Sequence, residues 1–403
     1  MIAITKCNIL AVVSDNMVLP LATGTWDNEE LEAIRRVVES DRYTMGKEVE
    51  SFELQFADFF GSKYCVMVNS GSSANLLAVA SMIHAKGVNL NPGDEVIVPA
   101  VSWSTTFFPL HQYGLKLIFV DVDKTLNLDL EKVKDAISEK TRAIFAVNLL
   151  GNPIEYGRLQ EIANEHDLII FEDNCESMGA TLDGKQAGTF GIMGTFSTYF
   201  SHHISTIEGG MVVTDDEELY HVMLSLRSHG WTRHLPKENL LVEKSDVEFD
   251  ESFRFILPGY NLRPVEFFGA VGQSQLRKLP DIVSGRRKNA QFFTDRFSNI
   301  DGIITQTEVG SSSWFGFAII LDRSGDRRQL LSLLEEKGVE TRPIVAGNFT
   351  RNPVIELMDY EIRGSLEFSD KIHNNGFFIG NHHYDITEEI DKIAAITSDY
   401  LQN

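Results

Sequence analysis

From Asp27 onward the chain alternates two kinds of apolar spacing. In "DNEELEAIRRVVESD" the apolar positions Leu31, Ile34 and Val38 follow an acidic first turn at helical spacing, which predicts an amphipathic helix. "VESFELQFADFFG" predicts a second helix after the turn "YTMGK". Short apolar runs without polar alternation then take over: "KYCVMV" (63–68), "DEVIVPA", "KLIFVDVD", "RAIFAVNLLG", "LIIFEDN", "GTFSTYF" and "GGMVVTDD". Between several of them lie helical stretches such as "ANLLAVASMIHAKG", "DLEKVKDAISEK" and "GRLQEIANEHD". Uninterrupted apolar runs predict strands covered on both faces, so the expected class is α/β, with a doubly wound, mostly parallel sheet. A ligand of such a sheet sits beyond the carboxyl ends of its strands.

The periodicity fades over residues 230–260 into "WTRHLPKENLLVEKSDVEFDES", too polar for a core and expected to be a long surface or active-site loop. After Pro264 a helical stretch runs through Arg286 and Phe293. "SSSWFGFAIIL" and "VETRPIV" then predict strands, and "RRQLLSLLEEKG" and "TEEIDKIAAITSDYLQ" helices. The pattern divides the chain into a large domain over residues 17–264 and a smaller α+β domain over 265–403. Residues 1–16 read as an extension ahead of the patterned sequence.

Composition narrows the chemistry. With 36 basic against 58 acidic residues the formal net charge is −22, which opposes nonspecific binding to nucleic acid or an anionic membrane. An anionic substrate would need a local cluster of arginines and backbone N–H groups. No run approaches the roughly 18 apolar residues of a transmembrane helix, and a cytoplasmic protein is expected. Cys7, Cys65 and Cys175 are scattered, with no C-x-x-C. Three thiols cannot ligate an all-cysteine iron–sulfur cluster within one chain, so none is expected.

Several predicted strand ends carry suggestive residues. In "VNSGSSAN" (68–75), Gly71 lets the chain turn while Ser72 and Ser73 open the next helix, an arrangement that can hold an anion. An ordinary N-cap reads the same way. In "IIFEDNCESMGA" (169–180), Asp173 ends a strand where a carboxylate is costly unless paired. A protonated pyridine nitrogen is one such partner; alternatively Asp173 caps the following turn, with Glu172 and Glu176 facing water. Trp103, after "DEVIVPA", is either core filler or a platform for a flat heteroaromatic ring. Ser197, His202 and Glu208 in "FSTYFSHHISTIEGG" complete the set. Together these describe a pocket for a phosphorylated aromatic cofactor. A metal at His202–His203 is disfavoured because adjacent strand positions face opposite ways, so His203 is expected to be structural. "NHHYD", beginning at Asn381, reads as surface polar sequence.

"NSGSSAN", "VPAVSWSTT", "FEDNCESMGA", "GTFSTYFSHHISTIEGGMVVTDD" and "LPGYNLRPVE" occur in the order of motifs in the DegT/DnrJ/EryC1/StrS sugar aminotransferases, which the chain resembles from about Leu19 to its end. The resemblance implies a fold type I pyridoxal-phosphate protein. Gly71, Ser72 and Ser197 would hold the cofactor phosphate, Trp103 would stack on its ring, Asp173 would pair with its nitrogen, and Glu176 would join these cofactor contacts. Asn261 would reach the phosphate from a neighbouring subunit, implying a homodimer. Most of the family has a lysine six residues before the Glu of "EGG", where this chain has His202. Imidazole has no primary amine and forms no lasting imine, yet it exchanges protons near neutral pH.

The wording "SWSTT", "LRSHGWTR" and "TRPIVAGNF" resembles a subgroup, the 3-dehydratases of nucleotide-sugar deoxygenation, acting on GDP-linked 4-keto-6-deoxy-mannose on the route to colitose. That implies work from pyridoxamine 5'-phosphate, with the amine regenerated from L-glutamate and His202 as acid–base residue. His229, Arg233 and Arg342 would contact the substrate. The competing readings are a lysine-free nucleotide-sugar 4-aminotransferase and a non-catalytic cofactor-binding protein.

Overall fold

The computed structural model describes residues 19–322 and 326–402; the stretch read as an extension, 1–16, lies outside them. The apolar runs become β1 (Tyr64–Val68), β2 (Glu95–Pro99), β3 (Lys116–Val120), β4 (Thr141–Val147) and β5 (Ile169–Asp173). A short ribbon, β6 (Thr181–Leu182) with β7 (Lys185–Gln186), precedes β8 (Met193–Ser197) and β9 (Gly210–Thr214). The later strands are β10 (Ile303–Thr305), β11 (Gly316–Leu321), β12 (Thr341–Arg342), β13 (Tyr360–Ile362) and β14 (Gly376–Gly380).

The large sheet runs β1-β9-β8-β5-β4-β2-β3-β13. Its pairings are parallel except those of β9, which is antiparallel to both β1 and β8. Alternate residues of one strand face opposite layers, and both layers are apolar. Val96, Val98, Phe119 and Phe171 meet Leu77, Met82 and Val222 of helices Gly71–His84 and Glu217–Arg227. Ile97, Ile118, Ile144 and Ile170 meet Val133 and Leu159 of helices Leu130–Ala136 and Tyr156–Glu165. This two-sided burial is the physical content of strands without polar alternation.

The smaller sheet, β10-β11-β14-β12, is antiparallel. Helix Glu266–Phe297 serves both cores: Leu276, Leu279 and Val283 pack with Phe52 and Phe56, while Ala290, Phe293 and Phe297 pack with Phe317 and Leu334. β13 joins the large sheet beside β3, although it follows the smaller sheet's first strands in sequence.

Three local expectations change. Of "SSSWFGFAIIL" only Gly316–Leu321 is strand; Ser313 and Phe315 donate N–H bonds to the carbonyls of Gly151 and Leu150 instead. Of "VETRPIV" only Thr341–Arg342 is strand. "NHHYD" is surface sequence only in its second half: Tyr384 and Asp385 are exposed, but Asn381 and His382 are fully buried. Asn381 Nδ2 donates to the Trp314 carbonyl at 2.9 Å, and His382 Nε2 lies 2.9 Å from the Pro20 carbonyl. The polar groups of Asn381 and His382 face the interior because the backbone of neighbouring segments needs partners there. No helix among the described residues is long and apolar enough to cross a membrane.

Candidate active site

The carboxyl ends of β1, β2, β5 and β8 and the amino end of β9 converge, as the strand directions require. At the first, Ser70 caps helix Gly71–His84: its Oγ accepts the Ser73 N–H at 3.1 Å and its carbonyl the Ala74 N–H. The N–H groups of Gly71 and Ser72 are thereby left at the open helix end, where an anion gains from unpaired donors and the dipole. A side chain at Gly71 would put its Cβ 2.6 Å from Ser197 Cβ and 3.2 Å from Cys175 Sγ. One at Gly210 would lie 2.8 Å from the Gly71 nitrogen. The structure therefore packs the "SGS" turn, Ser197 and the "EGG" glycines into one cradle, with Ser72 exposed at its rim.

Asp173 ends β5 and is buried. Its Oδ2 accepts from Asn75 Nδ2 and Thr106 Oγ1, each at 2.8 Å, and its Oδ1 from the Cys175 N–H at 3.2 Å. Asn75 is oriented in turn by Thr195 Oγ1 (2.6 Å) and Thr106 by Ser102 Oγ (2.8 Å). The turn-capping bond and the buried, oriented carboxylate therefore coexist. Among the described residues no lysine or arginine pairs with it, so the place of a cationic partner stands open. Trp103 lies one turn from Thr106, at the N-cap of helix Ser104–Gln112, and its indole is 57% exposed, so it is not core filler.

Glu172 and Glu176 do not merely face water. Glu172 is fully buried and accepts N–H bonds from Gly188 (2.6 Å), Phe190 (2.5 Å) and Gly191 (2.7 Å), which anchors the turn before β8. Glu176 is half-buried, with Oε2 accepting the Leu150 N–H at 3.2 Å. Burial, and then the Asp173 carboxylate, raise its pKa to about 7.

His202 lies on the loop between β8 and β9. That loop closes on itself through Thr198 N–H to Gly209 O and Thr206 N–H to Thr198 O, each 2.9 Å, so His202 rises directly from the cradle. Its ring packs edgewise against Phe315 (5.2 Å) and Tyr199 (6.0 Å). Nδ1 is buried without a partner. Desolvation, and secondarily the Arg286 guanidinium, pull its pKa down to about 4. His203 is fully buried with Nε2 3.0 Å from the Ser313 carbonyl. The two histidines sit on a bend, not on a strand, and both rings pack against Phe315, at 5.2 and 5.7 Å. No cluster of three or more His, Cys, Asp or Glu among the described residues is arranged to hold a metal.

The remaining expected residues stand apart within one subunit. Asn261 is exposed, its Oδ1 accepting from Arg263 Nε at 3.0 Å. His229 is half-buried against Trp231 (4.9 Å), while Arg233 and Arg342 are exposed. Sequence reasoning missed Asn75, Thr106, Thr195 and Arg286. The first two close quoted motifs, and their polar character at a predicted helix start was the available signal. Arg286 had none.

The residues fit a phosphorylated pyridine cofactor: Gly71 leaves a side-chain-free approach at a helix end, Asp173 awaits a cation, and Trp103 offers a bare aromatic face.

Comparison with known proteins agrees. A GDP-4-keto-6-deoxy-D-mannose 3-dehydratase of Yersinia pseudotuberculosis is 55% identical over 382 residues, covering 94% of this chain and 97% of that protein. A crystal structure of GDP-4-keto-6-deoxymannose-3-dehydratase with a trapped PLP-glutamate geminal diamine superposes with a TM-score of 0.93 at 51% identity, covering 94% of this chain and all (100%) of that one. A mutant of that enzyme with bound GDP-perosamine matches equally, with a TM-score of 0.93, 51% identity and coverage of 94% and 100%. Residues 25–397 match the model of the DegT/DnrJ/EryC1/StrS aminotransferase family, and with its cradle, Asp173 and His202 so arranged, the chain belongs to that family.

Proposed function

We propose that this chain is a pyridoxamine-phosphate-dependent 3-dehydratase that removes the C3 hydroxyl of GDP-4-keto-6-deoxy-D-mannose. The observation that carries the reading is His202: a proton carrier without a primary amine rises from an otherwise complete cofactor cradle. The names and bound groups of the relatives at 51–55% identity support it.

Bound pyridoxamine phosphate supplies an amine for the C4 ketone and a ring that takes up electron density. The protein does the rest. The N–H groups of Gly71 and Ser72 and the Ser197 hydroxyl hold the phosphate. Asp173, oriented by Asn75 and Thr106, keeps the ring nitrogen protonated, and the exposed Trp103 indole stacks on the ring. Glu176 lies beside Asp173 and contacts the cofactor. The His202 imidazole accepts a proton and then returns one to the departing C3 hydroxyl. A neutral imidazole suits the first task, and its conjugate acid is strong enough for the second. His229, Arg233 and Arg342 contact the sugar and diphosphate. The net exchange balances: the sugar trades a hydroxyl for hydrogen and gains an electron pair, and L-glutamate becomes 2-oxoglutarate and ammonia.

The active unit is a homodimer with shared sites. Supporting this, Phe200 (53% exposed) and Ile207 (49%) stand bare near the cradle, and Asn261 meets nothing of its own cradle. We place the enzyme in the cytoplasm, in deoxysugar supply for colitose-containing O-antigen lipopolysaccharide. Its composition and the free Cys65 and Cys175 support that location.

The test is a product assay with glutamate and the GDP-linked keto-sugar, read by mass spectrometry. A 3-deoxy keto-sugar with ammonia is expected. A stable 4-amino sugar would mean amino transfer, and no turnover a non-catalytic protein. His202→Asn should retain the cofactor and lose about 10²–10⁴-fold in turnover. Full activity would remove the histidine from the mechanism.

A further inference from the structure

Arg286 is buried in helix Glu266–Phe297, yet no carboxylate pairs with it among the described residues. Its Nη1 donates to the carbonyls of Phe315 (2.9 Å) and Trp314 (3.4 Å), and Nε is buried with no acceptor. A buried guanidinium is ordinarily neutralised by an acid, because an uncompensated charge in low dielectric is expensive. Here imidazoles stand where the acid would be expected. The turn that Arg286 grips carries, on its other side, the Phe315 ring against His202 (5.2 Å) and His203 (5.7 Å) and the Ser313 carbonyl bonded to His203. From the small-domain side, the Asn381 amide donates to the carbonyl of Arg286 itself at 3.1 Å and introduces His382 and His383.

We propose that Arg286 is a positioning residue for the proton-transfer step: it fixes the Ser313–Phe315 turn on which His202 rests and places an uncompensated positive charge behind that ring. The proposal builds on His202 as the proton carrier. A second positive charge beside a fixed one is disfavoured, so His202 rests as the neutral base and, once protonated, gives its proton up readily. The groups facing this pocket agree in sign. His202, His203, His382 and His383 are all held below the ordinary histidine value, first by burial and next by Arg286. Two acids reach this turn. Glu308 Oε1 accepts from the Ser312 N–H (2.9 Å) and from Trp314 Nε1 (3.2 Å), and Glu308 faces Arg287, itself bonded to the Ser311 and Ser312 carbonyls. Glu176 reaches it through Leu150, whose carbonyl binds the Phe315 N–H at 3.0 Å.

The test follows the His202 imidazole in the holoenzyme by NMR, its signal assigned from its loss in His202→Asn. In the unaltered protein it should titrate well below the free value of about 6.5. In Arg286→Gln the midpoint should rise by about one pH unit or more, and the acidic limb of kcat/KM should move up with it. Arg286→Lys, which keeps the charge, should restore both. A midpoint near 6.5 in the unaltered enzyme overturns the proposal even if Arg286→Gln does not fold. So does an unmoved midpoint in a folded Arg286→Gln. A raised KM for glutamate with an unmoved acidic limb would make Arg286 a carboxylate holder instead. Because the midpoint is read without turnover, failure of the dehydratase assay and failure of this proposal are separate results.

Discussion

A buried carboxylate is tolerated when donors occupy its oxygens, and Asp173 receives three of them while no cation touches it within the described residues. The same economy of space governs Gly71, where any side chain would meet Ser197 at 2.6 Å. Gly71→Ala should therefore push Ser197 out of the cradle and weaken cofactor binding at least about tenfold, or about 1.4 kcal/mol, by absorbance titration. Unchanged affinity would show that Ser197 does not hold the phosphate. Glu176, raised to about 7 by burial and by Asp173, is protonated below that pH and charged above it. Glu176→Gln imitates the protonated form at every pH. It should delete a transition near pH 7 from the activity profile, and a profile that keeps this transition assigns it elsewhere.

Elements owe their positions to close approaches that periodicity alone does not announce. Helix Glu266–Phe297 lies against helix Lys47–Phe60 because Gly269 and Gly272 offer no side chains there. A Cβ at Gly269 would be 2.5 Å from Val49 Cα, and one at Gly272 2.5 Å from the Phe52 ring. Gly269→Ala should cost about 1–3 kcal/mol in urea unfolding through overpacking, despite the better helix propensity of alanine. A neutral or stabilising result would mean that the two helices can separate without loss. Helix starts were legible from the acidic first turn after Asp27 and the serines after Gly71, while the Asp27 capping box and the Ser70 cap came from the structure. The entry of β13 into the large sheet was not, because three residues give no periodicity and their partner β3 is remote in sequence.

Over the whole molecule, the buried histidines decide the response to acid. His202, His234 and His382 have folded pKa values near 4, chiefly through burial, and burial holds His203 well below its ordinary value too, against about 6.5 when unfolded. Between these values the unfolded chain binds more protons, so stability is intact above about pH 6.5 and is lost as pH falls toward 4. Glu176 acts oppositely, since its raised pKa favours the folded state at low pH and loses that contribution as pH rises through about 7. Buried Glu172, also raised, acts in the same sense as Glu176, but these two carboxyls stand against seven lowered histidines, the four above with His84, His221 and His383. Tm should therefore fall when the pH is lowered from about 6.5 to 4, by scanning calorimetry at constant ionic strength. A Tm that stays level or rises over this range would mean that the imidazoles are solvated in solution.

The sequence by itself determined the α/β architecture with a sheet covered on both faces, the helix starts, the cradle motifs and the exchange of an amine for an imidazole at His202. These are local properties: which face a residue presents and whether it can form an imine depend on near neighbours and on its own chemistry. Only the tertiary structure decided that Gly71 abuts Ser197, that Asn75 and Thr106 meet on Asp173, and that Asn381 and His382 turn inward. It alone placed Arg286 behind His202. Each of these joins segments far apart in sequence. Their meeting is set by how the strands order themselves and the helices pack, and no spacing along the chain encodes it.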